Sequence, residues 1–133
     1  MTNSIQADFA RPQLLSGGVL TLLKAEGLAV FGLCTVAYFY VGGDWLVYLV
    51  LFLAPDLAMA GYFLGPKTGA VIYNVIHTYV SPALLAGAGF YFYPEVIPFA
   101  LIWAAHIGMD RVCAYGLKYP DAFSSNHLNQ VER

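Results

Sequence analysis

Charge is the scarcest property of this sequence. Of 133 residues only 11% are charged and 59% are hydrophobic, whereas an ordinary soluble domain carries roughly a quarter charged residues. The deficit excludes a domain with a solvated surface, and with six Lys and Arg in the whole chain no nucleic-acid partner is expected. Cysteine is equally sparse. Cys34 and Cys113 show no C-x-x-C spacing, which argues against a disulfide or a thiolate zinc site, and both fall in apolar runs as small buried hydrophobes. Strand-like alternation is missing too, so a membrane β-barrel is excluded in favour of helices. No small-residue cleavage pattern follows a short apolar stretch, and the first apolar run is therefore read as retained.

What the chain has is length of apolar sequence. Four runs, Val19–Val41, Trp45–Leu64, Thr68–Tyr93 and Val96–Tyr115, each approach or exceed the roughly 20 helical residues that cross a hydrocarbon core. The expected fold is all-α: an antiparallel bundle of four transmembrane helices over residues 19–118, preceded by an arm over 1–18 and followed by a polar tail over 119–133. The turns Gly42–Asp44 and Pro94–Glu95 are short, as antiparallel neighbours require.

Four spans sort the charges. Arg11, Lys24, Lys67, Arg111, Lys118 and Arg133 all fall on the side of the two termini, while the opposite turns carry only acids. The positive-inside rule makes that side, with both termini, cytoplasmic, with Trp45, Tyr48, Tyr91 and Tyr93 as an aromatic belt at the far interface.

Polar residues inside the runs are few: Glu26, Asp56, Asn74, His77, His106, Asp110 and Arg111. Each charge at a helix centre costs roughly 2.5–3.5 kcal/mol if unpaired, so these residues are expected to face inward. At 1.5 Å rise per residue from the cytoplasmic ends, Glu26, Asp56, His77 and Asp110 lie roughly 12–14 Å deep and His106 about 18 Å. His106 and Asp110 are i, i+4 on one stripe, and Asn74 and His77 are i, i+3 on another. Pro55 removes a helical hydrogen bond beside Asp56 and kinks the second span.

Imidazoles and carboxylates converging in a helical bundle suit a divalent metal such as Zn, Mn or Fe, with His77, His106, Asp110 and Asp56 as ligands. Asp56 and Glu26 are the candidate catalytic carboxylates, Glu26 as ligand or general base. Arg111 and Lys118 are placed to hold a phosphate or carboxylate head group, or Arg111 to pair with Glu26 or Asp56. Other readings stay open. The same residues make a purely structural network with Asn74, a proton or solute path, or, less well with carboxylates in the same layer, a bis-histidine haem site. A path would have to continue past Asp56, where only Thr35, Ser81 and tyrosines offer polarity. His127 reads as a tail residue unless the segment folds back under the bundle. Gly61 and Gly65, and Gly87 and Gly89, read as close-packing positions. Partners are the bilayer and, for so small a chain, a second copy or another membrane subunit.

The segments "LLKAEGLAV", "FLAPDLAMAGY", "GAVIYNVIHTY", "LIWAAHIGMDRVCAYGLKYP" and "NHL" resemble the bacterial integral-membrane family catalogued as domain of unknown function 4260, over about Leu22–Leu128. The resemblance adds Tyr62, Tyr115 and His127 to the polar signature, implies a place in the bacterial cytoplasmic (inner) membrane, and implies no activity. A fainter similarity is to inner-membrane metal-dependent hydrolases, whose pattern joins P-D-x-D, H-R-x-x-T-H-S and H-x-x-x-D. Pro55-Asp56 is kept here with Ala58 replacing the second acid, "HTY" keeps part of the histidine segment, and His106 and Asp110 match. That similarity implies a metal-dependent hydrolase acting on a lipid-like substrate with fewer ligands than a two-metal site needs.

Overall fold

A computed structural model describes residues 17–128; most of the expected N-terminal arm and the last residues of the tail lie outside the described residues. Helix α1 (Gly17–Tyr40) is followed by α2 (Trp45–Phe52), a 3-10 segment (Ala54–Leu64), α3 (Pro66–Ile76), α4 (Val80–Tyr91), a short 3-10 turn (Pro94–Val96) and α5 (Ile97–Val112). Among the described residues there is no strand, only an isolated antiparallel bridge between Lys118 and Asn126.

Gly17–Tyr40 and Trp45–Leu64 are each long and apolar enough to cross a membrane. Pro66–Ile76 and Val80–Tyr91, bent by 41° at their break, make a third span if taken together. Four spans were expected, and the described residues supply two or three. The difference lies in the last run, whose helix has 16 residues and thus a length of about 24 Å against a hydrocarbon thickness of about 30 Å. A Schellman motif ends it: the Tyr115 N–H donates to the Asp110 carbonyl and the Ala114 N–H to the Arg111 carbonyl, with Ala114 in the left-handed region at φ 61°.

Local sequence explains the other boundaries. Asp44 caps α2 by accepting from the Leu46 and Val47 amides at 2.8 and 2.9 Å. Pro55 lacks an amide proton, and after Leu53 the second span continues as a 3-10 helix, with the Asp56 amide donating to the Leu53 carbonyl at 3.2 Å. Gly65, at φ 110°, makes the turn into Pro66, the first residue of α3.

The core surrounds α5, which buries Ala100, Ile102, Ala105, His106, Ile107, Gly108 and Arg111 and packs against α1, α4 and α2; α3 packs against the 3-10 segment. The approach of α1 to α5 is set by two glycines. A Cβ on Gly27 would lie 2.7 Å from the Gly108 carbonyl oxygen, and one on Gly108 would lie 2.6 Å from the Gly27 oxygen. This crossing turns Gly27 toward α5 and leaves its neighbour Glu26, about 100° round the helix, exposed. Cys34 is half-buried and Cys113 is exposed past the end of α5, so Cys113 is not the buried hydrophobe expected: the Schellman turn carries it out of the core.

Replacing Gly27 by Ala forces two backbones apart and is expected to destabilise the protein by about 1–3 kcal/mol. Gly32, where an added Cβ meets nothing within 4 Å, is the matched control, and Gly32→Ala is expected to stabilise by up to about 1 kcal/mol. Thermal unfolding in detergent measures both.

Candidate metal centre

The third apolar run breaks at His77, and its imidazole is aimed by that break. A helix that ends leaves its last carbonyls without intrahelical partners, and here side chains from elsewhere take them. Ser81 Oγ donates to the Val75 carbonyl, Trp103 Nε1 to the Ile76 carbonyl at 2.7 Å, and Arg111 Nη2 to the His77 carbonyl at 2.8 Å. Arg111 Nη1 also bonds the Tyr115 carbonyl at 2.7 Å. Its guanidinium therefore closes the C-terminal ends of α3 and α5, where the helix dipole favours a cation. The acids expected as its partners are replaced by backbone carbonyls.

Tyr73 holds the imidazole on three sides. Its carbonyl accepts both the His77 amide, at 2.8 Å, and His77 Nδ1, at 2.9 Å; its ring stacks on the imidazole with centroids 3.7 Å apart; and its hydroxyl reaches Asp110 Oδ2 at 3.4 Å. A carbonyl can only accept, so Nδ1 carries the proton and Nε2 presents a bare lone pair. That lone pair looks into a group of four side chains. His77 Nε2 is 3.3 Å from His106 Nε2, 3.7 Å from Asp56 Oδ1 and 3.6 Å from Asp110 Oδ2. His106 Nε2 is 3.5 Å from Asp56 Oδ1 and 3.6 Å from Asp110 Oδ2. One donor atom from each residue lies within 4.8 Å of all the others.

These separations have a simple reading. Four ligands about 2.0–2.2 Å from a zinc-like ion at a tetrahedron's centre are about 3.3–3.6 Å from one another, and the five measured separations run from 3.3 to 3.7 Å. The His77 lone pair faces two carboxylate oxygens, acceptor against acceptor, and one nitrogen, His106 Nε2, that can donate to it when protonated. Both imidazoles are buried, Asp110 is 14% exposed and Asp56 41%, so the group opens on the Asp56 side. His106 is supported differently from His77: its Nδ1 is buried with no protein partner among the described residues, and the edge of its ring contacts Phe52. With the two Nε2 atoms 3.3 Å apart there is no room for a porphyrin between them.

The remaining expected residues take other places. Glu26 is exposed on α1, away from the group. The Asn74 side chain clamps the tail, accepting from the Lys118 amide at 2.6 Å and donating to its carbonyl at 2.9 Å. Lys118 is itself buried, its ammonium donating to the Phe123 carbonyl at 2.8 Å and lying over the Tyr73 and Phe123 rings; burial pushes its pKa down. Tyr115 is exposed and contributes its backbone to the end of α5. The Tyr62 hydroxyl is buried without a protein partner among the described residues, and its ring meets Phe123 edge-on. The tail does fold back: His127 Nδ1 accepts the Leu117 amide at 2.8 Å, the His127 amide donates to the Leu117 carbonyl, and Leu128 is buried. Gly27, Gly108, Tyr73 and Trp103 were not singled out from sequence. The spacing of Tyr73 from His77, one helical turn, was the available signal.

The fold and this group define a small helical protein, apolar enough to span a membrane, with a buried His/Asp cluster able to hold a metal ion. The family model described as a domain of unknown function (DUF4260) matches residues 20–131, and the chain belongs to that family. Neither a curated protein nor a solved structure matches it.

The tail hairpin is pH-sensitive. His127 is pushed below the ordinary histidine pKa of 6.5, first by burial and then by the Arg111 charge, and its Nδ1 must be unprotonated to accept from Leu117. A depressed histidine pKa contributes stability that is present above the unfolded value and lost as pH falls below it. Amide-exchange protection at Leu117 and Leu128 is therefore expected to hold at about pH 7.5 and to drop, after correction for intrinsic exchange, near pH 5, below the unperturbed histidine range.

Proposed function

We propose that this protein is an integral-membrane, metal-dependent enzyme of hydrolase type. It binds one divalent cation through Asp56, His77, His106 and Asp110 and acts on a lipid-like substrate. The observation that carries the reading is the match between the donor separations and the edges of a metal tetrahedron, with one imidazole already set in the ligating tautomer. A bound divalent ion lowers the pKa of a coordinated water toward neutrality and so supplies hydroxide for hydrolysis. The chain's own residues do the rest. Tyr73 orients His77, the two imidazoles stay in the dry interior, and Asp56, the exposed member, is the carboxylate placed to take or return a proton on the accessible side. Glu26, exposed on α1, is not one of the four grouped donors, and no role in the site is assigned to it. Arg111 and Lys118 already bond backbone carbonyls, which argues against either as the head-group anchor.

Where the last run crosses as a fourth span, the six basic residues fall on one side with both termini, and the positive-inside rule makes that side cytoplasmic. A second reading is favoured by one observation. Four protein donors complete a tetrahedron, and closed sites are characteristic of structural metal ions; on that reading the ion fixes α3 and α5 to the 3-10 segment, and the protein is a membrane subunit or assembly partner.

Elemental analysis of detergent-purified protein is expected to find about one transition metal per chain, falling below a tenth of that in His77→Ala and His106→Ala. Equal metal content in wild type and both variants would remove the metal reading. Stability separates its two forms: under the enzymatic reading Asp56→Asn, at the open side, keeps the folded protein and loses turnover.

A further inference from the structure

An apolar groove of about 260 Å³ is lined by Leu51, Ala54, Pro55, Ile76, Phe99 and Trp103. All of its walls but Leu51, on α2, come from the three elements that position the donors. Pro55 precedes Asp56, Ile76 precedes His77, and Trp103 stands one helical turn before His106. The sole polar hydrogen in the lining side chains, on Trp103 Nε1, already bonds the Ile76 carbonyl, so these side chains offer an occupant no hydrogen bond. Phe99 in its lining is exposed, as are Val50 and Leu53 on the second candidate span, next in sequence to the lining residues Leu51 and Ala54. The groove therefore lies among side chains suited to hydrocarbon, and Pro55 in its wall is joined directly to Asp56, the donor with the greatest exposure.

We propose that this groove is the acyl-chain subsite of the metal centre. A phospholipid enters sideways from the bilayer, lays one hydrocarbon chain along Leu51, Ala54 and Phe99, and brings its polar linkage to the Asp56 side of the donor group. The inference rests on the metal reading for what happens to that linkage, but the binding of the chain does not depend on it. A second groove of about 240 Å³, between α4 and α5 and lined by Tyr79, Ala83, Ala86 and Leu101 among others, is equally apolar. None of its lining residues is a sequence neighbour of a donor, and it serves as the internal control.

The test is photo-crosslinking of the full chain in phosphatidylethanolamine–phosphatidylglycerol vesicles doped with a phospholipid that carries a diazirine in its acyl chain. Adducts are mapped by mass spectrometry, and metal content is assayed on the same samples. Adducts at Leu51, Ile76 and Phe99 are expected to saturate as the probe fraction rises and to fall several-fold when unlabelled phospholipid is added at fixed probe. Adducts at Ala86, in the second groove, and at Leu33 and Val36, on the exposed face of α1, should rise in proportion to probe fraction. Ala54→Phe, which fills the groove, should remove the saturable component, as should Phe99→Ala, which takes away one wall without adding bulk.

Wild-type adducts in the groove that rise linearly, like those at Leu33, overturn the proposal. With metal bound, that result defeats the groove and spares the metal centre. Saturable groove adducts on a chain that holds no metal support the subsite and defeat the metal reading instead.

Discussion

The structure depends on how the third apolar run is allowed to stop in its middle. A break in a helix surrounded by hydrocarbon exposes carbonyls that have no water to turn to, at several kcal/mol each. Here Ser81, Trp103 and Arg111 take the carbonyls of Val75, Ile76 and His77 in turn. Two of these donors come from α5, so the break and the packing of the last helix are one arrangement. The charge of Arg111 is stabilised by the ends of two helices, and its second hydrogen bond closes the Schellman turn that shortens α5. What the break achieves is orientation. His77 sits at the first non-helical position after α3, where its imidazole can fold back on the Tyr73 carbonyl and present Nε2 to the interior.

From there the site assembles by proximity. The 3-10 segment that begins beside Pro55 brings Asp56 against α3, and the glycine crossing of α1 and α5 seats α5 so that His106 and Asp110 share one stripe facing the same space. Tyr73 ties two of the four donors together, accepting from one and donating to the other. The tail hairpin, held by Asn74 and Lys118, covers the Tyr73 ring from the other side. Buried imidazoles, carboxylates and an arginine are each expensive alone in an apolar chain; set this way, each has a stated partner or a place beside a cation.

Much of the site was readable in the sequence, and for a physical reason. Charges in apolar runs must converge, so counting depth along four runs brought Asp56, His77, His106 and Asp110 to one layer, where the structure also has them. The same count included Glu26, and depth alone could not exclude it. Which face of α1 meets α5 is decided by Gly27 against Gly108, a contact between two glycines 81 positions apart that no local pattern announces. The run Thr68–Tyr93 carried one sign of its break, Pro82 in the first turn after it, but the residues that satisfy the broken end lie on another helix or beyond the break and are not marked by local pattern. The fourth run overstated its helix because its last residues, Cys113–Tyr115, are as apolar as a helix interior while their backbone turns away through the left-handed Ala114.

The account's central claim is that the break presents the bare Nε2 of His77 to a cation shared with His106. Nitrogen-15 NMR of imidazole-labelled protein in detergent tests it most directly. In metal-free protein at neutral pH, His77 is predicted to carry its proton on Nδ1. On adding zinc, the Nε2 resonances of both His77 and His106 are predicted to move together and saturate at one equivalent, with Nδ1 of His77 little changed. A His77 protonated on Nε2, or a zinc titration that moves neither Nε2 resonance, would contradict it.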